Sequence, residues 1–175
     1  MLGKEDVPMV EKIRLRPLQT SDWAAFSEMR RDPVYRRTTG LAPCTDTAIL
    51  QAEFAHLQAR PETWAITRAN IFVGFLQFSP WLGPDGLPDE TSRNLDYLII
   101  HSQWGKGYAT AAVAQAIEKA LSQFYLQALW AGVAGNNPAS VKIMRHFSFQ
   151  EQYTVSETPF SQISAPITYY QLKIN

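Results

Sequence analysis

The stretch "SQWGKGYATAAVAQAI", residues 102–117, decides the reading of this chain. An apolar run, "LDYLIIH" (residues 95–101), leads into it. Two glycines, Gly105 and Gly107, flank Lys106, and an alanine-rich pattern follows. From Ala109 the apolar positions run Ala109, Ala112, Val113, Ala116, Ile117, Ala120, Leu121 and Phe124, a helical series. The order is therefore buried strand, glycine turn, slim amphipathic helix. Unpaired N–H groups and a partial positive charge at a helix start favour an anion, and glycine lets a ligand approach the backbone. Alternatively, the glycines only turn the chain. A dinucleotide fingerprint would need glycine at position 110, which is Thr110, and a P-loop would need Ser or Thr after Lys106.

The rest of the chain reads as mixed α and β. "KIRLRPL" (12–18) alternates as a half-buried strand, and "TSDWAAFSEMRR" (20–31) follows at helical spacing. "DPVYRRTTGLAPCTD" (32–46) reads as a loop, with Thr45 or Asp46 capping a second helix. "TWAITRANIFVGFLQFSPW" (63–81) reads as two strands about a tight Ala69-Asn70 turn. "LGPDGLPDETS" (82–92) reads as a loop whose Asp85, Asp89 and Glu90 either draw a cationic amine or are simply solvated. After residue 117 come a strand at "LQALWAGVA", a helix at "NPASVKIMRHF" and strands around "FQEQYTV" and "PITYYQLKI". Residues 1–11 read as an arm and 12–175 as one domain.

With 175 residues and a formal net charge of zero, no strongly basic nucleic-acid binder is expected. Cys44 is the single cysteine, so no intrachain disulfide can form, and the three histidines lack metal-ligand spacing. No run approaches membrane-spanning length. These features predict a cytoplasmic protein without a metal.

Taken together, "WGKGYATAA" and the order of elements resemble the GNAT superfamily of N-acetyltransferases, specifically the branch of the ribosomal-protein alanine N-acetyltransferases. The family motif Gln/Arg-x-x-Gly-x-Gly/Ala falls on Trp104 to Ala109, with its small residues at Gly107 and Ala109 and Trp104 in place of the usual first residue, a change similar to that of the named branch. A second landmark, Asn-x-x-Ser, falls on Asn137 to Ser140, followed by Ile143-Met144. Ser148-Phe149 stands where the family has Gly-Phe.

The resemblance implies an α/β fold with a mostly antiparallel sheet of six or seven strands and helices on both faces. One parallel strand pair would splay around the pantetheine arm of acetyl-CoA, and the cleft would lie between residues 98–104 and 132–140. The cosubstrate would be held by Ile99, Ile100, His101, Trp104, Gly105, Lys106, Gly107, Tyr108, Ala109, Thr110, Asn137 and Ser140. A primary amine, on a protein N-terminus or a small molecule, would attack the thioester through a tetrahedral intermediate, in a monomer or homodimer. Asn94 stands where the family often carries Glu, and Asn cannot take a proton. Asp96, on the same strand face, is the first candidate base, with Glu28 or a water chain as alternatives, and Ser140 is a candidate acid. Trp23, Glu28, Tyr35 and Trp81 are candidate amine-side residues, with Phe160 and Tyr169 as further wall positions. The competing reading is a non-catalytic acyl-CoA- or partner-binding module.

Overall fold

A computed structural model describes residues 12–83, 85–156 and 165–174, so the expected arm and Phe160 lie outside the described residues. The elements are β1 (Ile13–Pro17), α1 (Trp23–Arg31), α2 (Tyr35–Thr39), α3 (Thr47–Ala59), β2 (Thr63–Arg68), β3 (Ile71–Leu82), β4 (Pro88–Ile99), α4 (Tyr108–Ser122), β5 (Ala128–Ala134), α5 (Pro138–His146), β6 (Gln150–Val155) and β7 (Ile167–Lys173). The seven strands form one sheet in the order β1-β2-β3-β4-β5-β7-β6. Every neighbouring pair is antiparallel except β4 and β5.

Side-chain alternation along the strands feeds two cores. Leu95 and Ile99 of β4 join Leu129, Ala131 and Val133 of β5 against Ala112, Val113 and Ala116 of α4 and Ile143 and Met144 of α5. Leu98, Phe75 and Ala65 face the other way, against Phe26, Met29, Tyr35, Phe54 and Leu57. Helices thus cover both faces, as expected. The alanine face of α4 lets the helix sit low on the sheet. Its Gln115 donates to the Ile13 carbonyl at 2.7 Å and accepts from the Leu15 N–H at 3.2 Å, which occupies the open edge of β1.

Local chemistry sets the boundaries. Ala69 and Asn70 both have positive φ (47° and 65°), the geometry of a tight primed hairpin turn. Asp46 caps α3 by accepting from the Ala48 and Ile49 amides. Two expectations need correction. The segment read as a loop at 32–46 contains α2, closed by Gly40 at φ 70° with its N–H on the Arg36 carbonyl. The loop read at 82–92 shrinks to 83–87, because β4 already starts at Pro88. Pro80 ends a regular stretch of β3, and the register shifts between Pro80 and Trp81, where the missing N–H is tolerated.

Gly74 lets β3 and β4 approach closely. A Cβ there would lie 2.1 Å from the Leu98 carbonyl oxygen, a backbone atom that cannot step aside. Gly74→Ala should therefore destabilise the fold by roughly 2–3 kcal/mol, read as a lowered midpoint in urea unfolding with an unchanged slope.

Candidate active site

The parallel pairing of β4 with β5 is short. Ser92, Arg93 and Asn94 register with Ala128, Leu129 and Trp130, and the pairing goes no further. Beyond these residues the strands splay. The gap continues into a cleft in two connected halves, both lined by Thr38, Thr39, Tyr97, Leu98, Asn137 and Ser140. This is the predicted location between residues 98–104 and 132–140.

The register shows which backbone groups face the gap. The Ile100 N–H bonds the Val73 carbonyl of β3 at 2.8 Å. By antiparallel alternation, the backbone groups of Tyr97 and Ile99 point away from β3, toward the splay. The Ile99 carbonyl is already occupied: it accepts from the Tyr35 hydroxyl at 3.0 Å and the Trp104 indole at 2.8 Å. Tyr97 N–H, Tyr97 C=O and Ile99 N–H are left to face the gap.

One half of the cleft is basic. Its volume is about 600 Å³, and Trp104, Gly105, Gly107, Tyr108, Ala109, Thr110 and the start of α5 line it, together with Arg37 and Lys142. Gly105 and Gly107 have φ of 75° and 77°, so the turn requires glycine for its left-handed backbone. A Cβ on either would meet no protein atom within 4 Å. The first intrahelical bond of α4 runs from the Ala111 N–H to the Gly107 carbonyl at 3.0 Å. The amides of Tyr108, Ala109 and Thr110 therefore lack intrahelical partners, as an anion cradle needs.

Several cradle expectations need correction. The Trp104 N–H is spent on the His101 carbonyl, so its amide is not free for an anion. The Ile100 amide is spent on β3. The His101 carbonyl is taken up by the Trp104 amide, and the His101 imidazole sits beside Asp32 at 3.4 Å and packs on Trp104 rather than lining the cleft. Lys106 donates to Gln103 at 2.9 Å on the exposed side of the loop. The cations that do line this half, Arg37 and Lys142, sit on α2 and α5 and were missed. A helical repeat of charge at Arg145 and Lys142 was visible, but nothing local tied either to the glycine turn.

The other half is acidic. Its volume is about 370 Å³, and Asp96 is the one charged side chain among the described residues lining it. Asp96 accepts from Ser79 Oγ at 3.0 Å, Asn94 Nδ2 at 2.9 Å and, weakly, Gln77 Nε2 at 3.5 Å. Burial holds its carboxyl above the usual carboxylate range, against the lowering effect of those three donors and of the Arg60 charge. Asn94, where a Glu was expected by resemblance, thus supports the carboxylate two residues on.

Where the halves meet, the Tyr97 hydroxyl donates to Ser140 Oγ at 3.0 Å. Burial pushes the Tyr97 phenol up to about 12, so it stays protonated. Strand alternation puts Tyr97 on the opposite sheet face from Asp96, and a splayed edge exposes both faces to one cleft. Asn137 caps α5 by accepting from the Ser140 N–H at 3.2 Å, and its Nδ2 donates to the Thr38 carbonyl at 3.4 Å. Asn136 donates to the Arg37 carbonyl at 2.8 Å. These bonds strap α2 across the mouth of the cleft.

The expected amine-side residues are dispersed. Trp23 packs on Phe26 and Phe54 at the second core. Glu28 is exposed on α1 and lines neither half, which removes it as an alternative base. Tyr35 is 1% exposed beneath the basic half, where its ring meets Trp104 edge-on. Trp81 stacks on Trp130 at 4.3 Å, next to Tyr169, outside both linings. The acids of the β3–β4 turn are locally engaged: Asp85 accepts from the Leu87 N–H, and Asp89 accepts from Thr91 and Ser92. Among the described residues no three His, Cys, Asp or Glu side chains group as a metal site would.

Over 146 residues the chain is 23% identical to an uncharacterized N-acetyltransferase, p20, of Bacillus licheniformis, covering 81% of each. Its fold is similar to that of spermidine N-acetyltransferase from Vibrio cholerae in complex with CoA and spermine (TM-score 0.77, 15% identity, 93% and 95% of the two chains). It is also similar to ribosomal-protein-alanine N-acetyltransferase from Brucella melitensis (TM-score 0.74, 19% identity, 92% and 99%). The acetyltransferase (GNAT) domain matches residues 12–150, most of the sequence, and the chain belongs to the GNAT acetyltransferase family.

Proposed function

We propose that the protein transfers the acetyl group of acetyl-CoA to a primary amine, with Asp96 as the general base. One observation carries the reading. A single cleft is basic at one end and acidic at the other, and the two ends meet at a hydroxyl pair in a strand splay. An anionic cosubstrate and a cationic amine would enter from opposite ends and meet in the middle.

Acetyl-CoA supplies the activated acyl group, and the residues present fit it. The free amides of the glycine turn and the Arg37 and Lys142 charges suit its phosphates. The outward backbone groups of Tyr97 and Ile99 suit the amides of its arm. In this role the Tyr97 or Ile99 N–H also donates to the acyl oxygen as charge builds there. A bound ammonium must lose a proton before it can attack, and Asp96 takes it at a carboxylate oxygen. Burial makes that carboxylate a stronger base than a solvated one. Ser140 Oγ, held by the Tyr97 hydroxyl, would pass to the departing sulfur the proton that the attacking nitrogen sheds as the amide forms. Asn94 does not favour a non-catalytic binding module, because it orients the base rather than leaving the site without one.

Gly107→Glu should weaken acetyl-CoA binding at least 100-fold in calorimetry while the far-ultraviolet circular dichroism stays native. Gly107→Ala serves as control for the cost of a non-glycine residue at positive φ, about 1–2 kcal/mol. Equal affinities for Gly107→Glu and wild type would remove the phosphate-cradle role.

Asp96→Asn should lower kcat/KM by roughly 10²-fold or more, with the larger deficit at low pH, and leave acetyl-CoA affinity intact. Stability should move the other way. The folded carboxyl titrates above its unfolded value, so its ionisation costs the native state as pH rises between the two. The Asn variant should therefore melt higher than wild type at pH 7, and the gap should close below about pH 4. A lower melting point at pH 7 would mean that Asp96 is a stabilising carboxylate instead.

A further inference from the structure

The acidic half says what kind of amine it takes, given the acetyl-transfer reading above on which this inference rests. Its apolar lining includes Leu41, Phe75 and Ile167, beside the polar Thr38, Thr39, Gln77, Asn137 and Ser140, and Asp96 supplies its sole charge among the described lining residues. A polyamine or an aminoglycoside carries several ammonium groups, and each needs a carboxylate or water when enclosed. Among the described residues the neighbouring charges do not provide them. Arg60 lies close enough to act on Asp96, and it repels a second cation. Glu62 is committed to Arg93 at 2.9 Å, and Glu90 lies 3.9 Å from the same guanidinium.

A peptide N-terminus fits poorly for a different reason. Its first amide groups would need hydrogen-bond partners inside the pocket. Thr39 Oγ is already engaged, donating to the Tyr35 carbonyl and accepting from the Leu41 N–H. Leu41, Phe75 and Ile167 offer no side-chain hydrogen bond, and a buried amide without a partner is costly. The volume of about 370 Å³ lies at the small end of ligand pockets.

Gln77 is the decisive position. It lies opposite Asp96 in the β3–β4 register and lines the same half, with its Nε2 turned toward the carboxylate. Its Oε1 is buried without a hydrogen-bond partner. A neutral amide thus occupies the place from which a second carboxylate could meet a second ammonium. We propose that the acceptor is a small primary amine with one positive charge and an apolar alkyl or aryl body, its ammonium seated on Asp96, and that Gln77 enforces this single charge.

The test is binding to the protein saturated with CoA, measured by calorimetry, so that it does not depend on turnover. The probes are phenylethylamine, spermidine and an alanine-initiated tripeptide. Phenylethylamine should bind at least tenfold more tightly than either of the others. Gln77→Glu should shift the spermidine-to-phenylethylamine affinity ratio at least tenfold toward spermidine, with CoA affinity unchanged as proof of folding. Gln77→Met, a neutral residue of similar length, should leave the ratio near that of wild type. Tighter spermidine or tripeptide binding, no amine binding at all, or an unmoved ratio in Gln77→Glu would each overturn the proposal. Turnover with acetyl-CoA is read separately. Selective amine binding without acetylation would overturn the catalytic reading and leave the ligand class standing.

Discussion

The architecture depends on how one backbone oxygen is satisfied. The Ile99 carbonyl faces β5, where a parallel ladder would continue, but it accepts instead from the Tyr35 hydroxyl and the Trp104 indole. A buried carbonyl with two donors has no need of a strand partner. On the opposite side, the Ala134 carbonyl accepts from the Asn137 N–H as the chain turns into α5. With both strand ends engaged elsewhere, the gap between β4 and β5 is a built feature rather than a packing defect. Tyr35 comes from α2 and Trp104 from the glycine turn, so one contact also fixes the two segments that border the basic half.

The charge arrangement follows from that opening. Closed strands would separate the sheet faces, leaving Asp96 on one side and Ser140 with α5 on the other. The splay lets a continuous passage cross the sheet, and Tyr97 stands in it, its hydroxyl on Ser140. Desolvation then acts unequally along the passage. Asp96 is held at the narrow end by neutral donors, while Lys142 is exposed on α5 at the wide end. A carboxylate that is costly to bury and a cation that is not give the two ends of the passage opposite electrostatic character.

Local chemistry was the legible part of the sequence. The α4 series, the Ala69-Asn70 turn and the Asp46 and Asn137 caps depend on a few adjacent residues, and they are found where the pattern puts them. α2 escaped because five residues with two arginines and two threonines carry no apolar repeat, although Gly40 was its stop signal. The start of β4 escaped because its glycines and prolines make 82–92 read as a loop, whereas Pro88 in fact opens the strand. The site was harder. Arg37, Lys142 and Gln77 reach the cleft from elements far apart in sequence, and no local spacing links them. Alternation placed Asp96 and Tyr97 on opposite faces, but it carries no information about whether a strand edge is paired.

The two ends of the cleft also have different genealogical freedom. The basic end is built largely from the turn and helix starts at residues 99–110 and 136–146, with α2 closing it. The acidic end draws single side chains from β3, β4 and β7 and from the segment after α2. Substitutions at Gln77, Leu41 or Ile167 change the second wall without touching the glycine turn. Descendants of this chain can therefore drift among amines while inheriting the same carrier, and a duplicated copy could acquire a new acceptor through a handful of exchanges at one end.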